Sequence, residues 1–161
     1  MLDEEGLLAN GIPTTGFELS NDSSCTMASI DCEMVLTVEG RQLARVSLVN
    51  QDYSLLYDSL VKPSAEITDY LTNYSGITPE MLEGVSTTLE DIQNALPGFI
   101  GKSTILCGHS IENDLNALGL KHKRIIDTSV IYPHPVNTHK NSLKYLAQKF
   151  LHKRIQNVKL R

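Results

Sequence analysis

Apolar residues along this chain alternate with polar ones at first and later recur at helical spacing, and the change falls soon after residue 62. Residues 27–34 read as a strand, and 43–50 as a second one. In the second, Ala44, Val46, Leu48 and Asn50 face one way and Leu43, Arg45, Ser47 and Val49 the other. Glu39-Gly40 supplies the turn between them, a hairpin signal. A third strand over 55–61 is closed by Lys62-Pro63, so three antiparallel strands come first.

The second pattern predicts helices alternating with short strands. Thr78 and Pro79 stand as N-cap and first residue of a short helix. Thr87-Thr-Leu-Glu90 has capping-box spacing ahead of Ile92, Leu96, Phe99 and Ile100, which predicts a helix over 88–100. A buried strand over 104–107 leads through Gly108-His-Ser110 into a helix carrying Ile111, Leu115 and Leu118. A strand over 124–127 and a helix over 141–151 follow, the latter with Leu143, Leu146, Ala147 and Phe150 inward. Strands first, then helix and strand in alternation, imply an α/β domain with a mixed sheet. Residues 1–26 lack sustained periodicity and are expected to be a poorly ordered lead-in to a domain over 27–157, with 158–161 a divergent tail.

At 161 residues, 41% of them hydrophobic, the chain fits one compact domain. No run approaches the roughly 18 consecutive apolar residues of a membrane helix. The acidic start Met1-Leu-Asp-Glu-Glu5 is unlike a basic leader, so a nuclear or cytoplasmic location and no membrane partner are expected. Cys25, Cys32 and Cys107 are odd in number and have no paired spacing, which argues against a disulfide framework or zinc site. The net charge of −5 hides a division. Residues 1–120 carry 18 acids against 4 bases, and residues 121–161 carry 10 bases against the single acid Asp127. Such asymmetry suits a polyanionic partner; a solvated basic helix is the alternative.

The sharpest feature is Asp31-Cys-Glu33 inside the first apolar strand. Side chains alternate along a strand, so Asp31 and Glu33 share a face while Ile30, Cys32 and Met34 use the other. Two adjacent carboxylates repel, and burying either one unpaired is costly. A hard divalent cation between them resolves the repulsion, and Mg²⁺ takes oxygen ligands while leaving positions for phosphates. A solvent-facing edge strand with an incidental acid pair is the alternative. Asp114 lies about one turn into the helix after Gly108, at the strand's carboxyl end, where ligand sites of α/β sheets gather. Complementing the helix dipole is its alternative role. Together the three acids suggest a two-metal phosphodiester site.

At this point the residues resemble a known family. Asp31-Cys-Glu-Met34 and Gly108-His-Ser-Ile-Glu-Asn-Asp-Leu115 look like the first two motifs of the DEDDh 3'-to-5' exonucleases. Ala44-Arg-Val, Val61-Lys-Pro, Tyr74-Ser-Gly-Ile-Thr78, Ile126-Asp-Thr128, Tyr132-Pro-His-Pro135 and Ser142-Leu-Lys-Tyr-Leu146 resemble its RNA-exonuclease (Rex-like) branch. The resemblance implies an RNase H-like mixed sheet flanked by helices, and two Mg²⁺ or Mn²⁺ ions. It also implies release of nucleoside monophosphates from the 3' end of single-stranded RNA. Asp31, Glu33 and Asp114 would be the catalytic, metal-holding residues. Met34 would lean on the terminal nucleotide, Gly76, Ile77 and Thr78 would approach the 3' end, and Asn113 would touch the next phosphate. Asp127 is read as fixing a strand end.

The family's third motif supplies a histidine and, five residues on, an aspartate, after the segment that here reads Arg154-Ile-Gln-Asn157. Val158-Lys-Leu-Arg161 follows instead. General base, fourth carboxylate and the helix bearing them are thus expected to be missing, leaving a truncated, impaired product with apolar surface uncovered. A non-catalytic nucleic-acid-binding remnant is the competing reading. A small phosphatase using Asp31 as nucleophile fits poorly, since no phosphate loop follows the strand.

Overall fold

The computed structural model describes residues 3–136 and 139–156. In chain order these form α1 (Glu4–Ala9), β1 (Phe17–Glu18), β2 (Met27–Thr37), β3 (Gly40–Asn50), β4 (Leu55–Leu60) and β5 (Ile67–Asp69). There follow α2 (Thr72–Ser75), α3 (Pro79–Leu82) and α4 (Leu89–Ala95), which tightens into a 3-10 turn (Leu96–Gly98). The remainder is β6 (Ile105–Gly108), α5 (Glu112–Leu118), β7 (Leu120–Lys121), β8 (Ile125–Asp127), α6 (Thr128–Ile131) and α7 (Leu143–Leu151). Among the described residues no helix is long and apolar enough to cross a membrane.

The main sheet has the order β4-β3-β2-β6-β8, antiparallel from β4 to β2 and parallel from β2 to β8, as the alternation implied. Its long hairpin closes at Thr37 and Gly40, where Thr37 Oγ1 donates to the Gly40 carbonyl at 2.8 Å. One edge of β2 is paired along its length with β3. The other edge is interrupted. β6 pairs with Met27–Ser29 and β5 with Leu36 and Thr37, so Ile30 to Val35 have no strand partner there.

Two apolar clusters hold the layers. The larger gathers Ile30, Cys32, Val46 and Leu48 of the sheet against Ile92, Leu96, Leu115 and Leu118 of α4 and α5. The smaller, Val35, Ala44 and Ile77, lies on the opposite sheet face and is flanked by Leu60, Ile67, Tyr70, Met81 and Leu82. Each fully buried Leu or Ile stabilises the fold by about 1.5–3 kcal/mol.

Several sequence expectations need correction. The capping box sits one residue later than expected: Thr88 is the N-cap and Asp91 the reciprocal partner. Helix α4 stops at Ala95 rather than near 100, because Pro97 has no N–H to continue the ladder. In α7 only Leu146 and Ala147 are buried, while Leu143 and Phe150 are 39% and 49% exposed, the Phe150 ring resting on that of Tyr132. Residues 3–26, expected to be poorly ordered, are packed onto the domain. Asp3 caps α1, Leu7 is fully buried, and β1 pairs in parallel with β7. Asn21 Nδ2 donates to the Pro97 carbonyl at 2.7 Å. So short a helix gives no periodic signal and owes its stability to what it packs against. Cys32 is buried as expected, whereas Cys107 is half-buried. The segment 158–161 and Asn157 lie outside the described residues.

Candidate active site

Strand β2 splits its side chains as the alternation requires. Ile30 and Cys32 enter the larger core, and Asp31 and Glu33 project from the other face. Across the hairpin Asp31 faces Ser47 and Glu33 faces Arg45. Directly after Glu33 the register slips, so that Met34 pairs with Leu43 and Ala44 is left over. Such a bulge bends and twists a strand and re-aims the side chains beside it. Arg45 is gripped by Asp58 through Nε at 2.8 Å and Nη2 at 2.6 Å, and Ser47 donates to Asp58 at 2.9 Å. This network beside the acid pair was not singled out from the sequence. Its signal was present in the polar row Arg45, Ser47 of the second strand.

Asp114 reaches the same place from the other stretch. Strand β6 ends at Gly108, where a Cβ would stand 2.9 Å from Ile111 Cβ, so only glycine lets the chain turn this tightly. Ser110 then adopts a left-handed φ of 57°, and α5 begins at Glu112. Asp127 clamps the turn from below, accepting from the N–H groups of Ser110 at 2.9 Å, Ile111 at 3.2 Å and Ser129 at 2.8 Å. Burial alone would raise its pKa, but these hydrogen bonds outweigh it and hold the carboxyl below its usual range. Asp127 therefore fixes a strand end, as expected. One turn into α5 Asp114 is buried, and its Oδ1 accepts the Cys32 N–H at 2.7 Å. That N–H lies in the stretch of β2 whose second edge has no strand partner, and it sits between Asp31 and Glu33 in the chain.

The three carboxyls perturb one another. Glu33 is pushed up to about 7, first by burial and then by the charges of Asp31 and Asp114, against the pull of Arg45. Asp114 is likewise pushed up to about 7, first by burial and next by Asp31, against the Cys32 hydrogen bond. Asp31 keeps solvent contact, yet the crowding protein raises it too, opposed by Arg45. Arg45 is thus a partial counter-charge, already spent on Asp58, and the cluster carries surplus negative charge. All-oxygen donors with unneutralised charge fit a hard divalent cation in chemistry. Their side chains are not gathered into a coordinating group: among the described residues no three His, Cys, Asp or Glu are arranged to hold a metal ion.

The expected substrate contacts divide. Glu33 and Met34 open into a pocket of about 320 Å³ shared with Arg41, Leu71, Tyr74 and Ser75. Gly76 and Thr78 follow Ser75 in the chain and are half-buried, Gly76 with a φ of 68° and open space above its Cα. Ile77 is different. Its side chain is fully buried on Val35 and Ala44, its N–H takes Ser75 Oγ at 3.0 Å, and its carbonyl takes Thr72 Oγ1 at 2.6 Å. Within the segment expected at the 3' end, the Ile77 side chain therefore anchors the backbone of Gly76 and Thr78 to the sheet. Asn113 is exposed at the start of α5, its Nδ2 donating to the Ser110 carbonyl at 3.1 Å.

His109 hydrogen-bonds Thr128 Oγ1 at 2.9 Å, His134 and His139 lie with rings 5.5 Å apart in the loop before α7, and His152 caps α7.

Comparison with known proteins agrees with this arrangement. A family profile described as "Exonuclease" (RNase T) matches residues 28–159. RNA exonuclease 1 of Saccharomyces cerevisiae is 42% identical over 98% of this chain and 31% of its own length. The human RNA exonuclease 1 homolog is 43% identical over 86% of the chain and 12% of its own length. Bovine RNA exonuclease 5 is 42% identical over 91% of the chain and 18% of its own. The chain thus spans less than a third of these relatives. Among solved structures, the Neurospora crassa Pan2 catalytic unit superposes with a TM-score of 0.71 at 25% identity, covering 92% of this chain and 27% of that one. The Saccharomyces cerevisiae Pan2 module in complex with AAUUAA RNA gives 0.69 at 25% identity, covering 94% and 29%. The fold is RNase H-like, and the chain belongs to the RNase T exonuclease family, in its RNA-exonuclease (Rex-like) branch.

Proposed function

We propose that this chain is a 3'-to-5' exoribonuclease domain that hydrolyses single-stranded RNA to nucleoside monophosphates with the help of Mg²⁺ or Mn²⁺. The observation that carries this is the hydrogen bond from the Cys32 N–H to Asp114, which draws a carboxyl from α5 to the strand bearing Asp31 and Glu33. These three residues would hold the ions. Such ions, when bound, would supply an activated water and stabilise the departing 3' oxygen.

The chain's own residues supply position. Arg45, pinned by Asp58, favours the ionised forms of Asp31 and Glu33. Met34 and Tyr74 wall the pocket beside Glu33, where a terminal nucleotide would lie. Gly76 and Thr78 offer backbone to its 3' end, supported from beneath by Ile77, and Asn113 stands ready for the next phosphate. Taking a proton from the attacking water calls for a base such as histidine, a contribution worth about 100- to 10,000-fold. The 161 residues alone are therefore expected to cleave slowly.

The test uses 5'-labelled single-stranded RNA with Mn²⁺ or with EDTA. Ion-dependent shortening from the 3' end should be weak for this chain, lost in Asp114→Asn, and restored when a His-x₄-Asp helix is appended after Asn157. Absence of cleavage by the extended chain overturns the proposal. The second reading, a non-catalytic RNA-binding domain, is favoured by the lack of a coordinating group among the described side chains. RNA binding without cleavage in both forms would support it.

A further inference from the structure

In the acid-rich first 120 residues two cations are left without a counter-charge. The bases there are Arg41, Arg45, Lys62 and Lys102. Arg45 is paired with Asp58 and Lys102 with Asp22. Arg41 and Lys62 are exposed, and among the described residues neither makes a side-chain hydrogen bond or ion pair. Both nevertheless line one groove of about 820 Å³. Its walls are β3, the chain after β4, the start of α4 and the second half of α5, every wall residue falling between Arg41 and Ala117.

Backbone bonds, not the cations, give the groove its shape. The Lys62 N–H donates to the Thr87 carbonyl at 2.8 Å, tying this segment to the approach to α4. Gln42 Oε1 accepts from the Ser64 N–H at 2.8 Å, the Ser64 hydroxyl at 3.1 Å and the Ala65 N–H at 3.2 Å, tying it to β3. Lys62 is thereby fixed beside the strand that carries Arg41, with both cationic groups open to a ligand. One acid, Glu90, lies on the wall and leaves the cations in excess.

Two cations suit a dianion. A terminal phosphate monoester carries a charge of about −1.5 to −2 at neutral pH, whereas a backbone diester carries a single one. Pro63, Leu89 and Ala117 add apolar wall against which a base can lie, and Ser86 adds a hydroxyl. The volume falls within the range of about 300–1,000 Å³ typical of small-molecule sites, more than inorganic phosphate fills. Arg41 also lines the pocket of Glu33 and Met34, so the groove adjoins the place where each cleavage would free a nucleotide.

We propose that this groove binds a nucleoside 5'-monophosphate, its phosphate between Arg41 and Lys62, and so retains released product beside the acid site. The source of the nucleotide rests on the exoribonuclease reading. The binding does not, and it needs no divalent ion.

Amide shifts in NMR spectra of the full chain in EDTA, titrated with AMP, test this. Lys62, Ser64 and Ser86 should shift, and Asn113 should not. Loss of one hydrogen bond to a charged group costs about tenfold or more, so Arg41→Gln and Lys62→Gln should each weaken AMP by that factor. Both side chains are exposed and unpaired, so neither change threatens folding. Lys62 lies outside the Glu33 pocket, and its substitution separates the groove from a nucleotide lodged at the acid site. Adenosine and inorganic phosphate should each bind more weakly than AMP, again by about tenfold or more. Unchanged AMP affinity in Lys62→Gln, or phosphate alone binding as well as AMP, overturns the proposal. So does displacement of AMP by a short RNA without a terminal phosphate, which would make the groove part of the RNA track. If AMP behaves as expected while the extended chain shows no Mn²⁺-dependent cleavage, the nuclease reading fails and the groove stands. If the extended chain cleaves and AMP does not bind, the groove alone fails.

Discussion

Asp114 does two things whose requirements conflict. Its Oδ1 satisfies a buried backbone N–H, while its charge adds to a crowded anionic cluster. Asp114→Asn keeps an acceptor for the Cys32 N–H and removes the charge, so at pH 8 in EDTA its urea midpoint should equal or exceed that of the parent. Asp114→Ala leaves that N–H unpaired and should cost about 1–3 kcal/mol in the same measurement. Both should lack ion-dependent cleavage. The raised pKa values of Glu33 and Asp114 give a further expectation. Their folded-state values lie near 7, above the ordinary 4.5 of a glutamate and 3.8 of an aspartate. Between about pH 4 and 7 the unfolded chain has therefore released protons the folded chain still holds, and stability falls as pH rises through that window. Melting temperatures in EDTA should be higher at pH 5 than at pH 7.5, and Mn²⁺ should raise the value at pH 7.5 most. A flat profile would show that the carboxyls do not repel.

At the scale of elements, the turn from β6 into α5 decides whether Asp114 arrives. Gly108→Ala would press a methyl against the fully buried Ile111, at 2.9 Å from its Cβ. Overpacking of this kind costs about 1–3 kcal/mol, which thermal unfolding should register, together with a loss of cleavage beyond that explained by the unfolded fraction. These elements also show what a sequence can reveal. Asp31 and Glu33 were legible because a strand's period of two leaves no choice about their common face. Asp127 was legible as a strand-end residue, but the three N–H groups it accepts from come together only in the fold. The bulge after Glu33 was not legible, since nothing in Leu43-Ala-Arg45 announces that Ala44 will be skipped. Phe150 misled for another reason: helical spacing predicts a stripe, and here only its centre, Leu146 and Ala147, is buried, while Phe150 rests on the Tyr132 ring and stays half exposed. For Ile77 the motif marks a position expected near the substrate without telling that its side chain is buried on Val35 and Ala44.

For the whole molecule, the first 26 residues matter more than their composition suggests. Leu7 is fully buried in the main core, whereas its neighbour Leu8 is 65% exposed. Leu7→Ala should cost about 2–5 kcal/mol in urea unfolding, and Leu8→Ala within about 0.5 kcal/mol. Equal effects would mean that α1 is not part of the folded unit. Gly16 lies so close to the chain after α5 that a Cβ there would meet the Gly119 carbonyl at 2.5 Å, so β1 and the end of α5 are fitted to each other.

The contact between Asp114 and the Cys32 N–H joins positions 82 residues apart. During synthesis, two of the three acids leave the ribosome early, on a hairpin whose two strands are adjacent in sequence. The third emerges only after the chain has built β4, β5 and α2 to α4, and docks only when β6 has paired. A nascent chain, or a proteolytic fragment, that stops short of α5 therefore holds an acid pair on a strand with its amide open to water. The acid trio belongs to the finished tertiary structure and to no earlier stage of it.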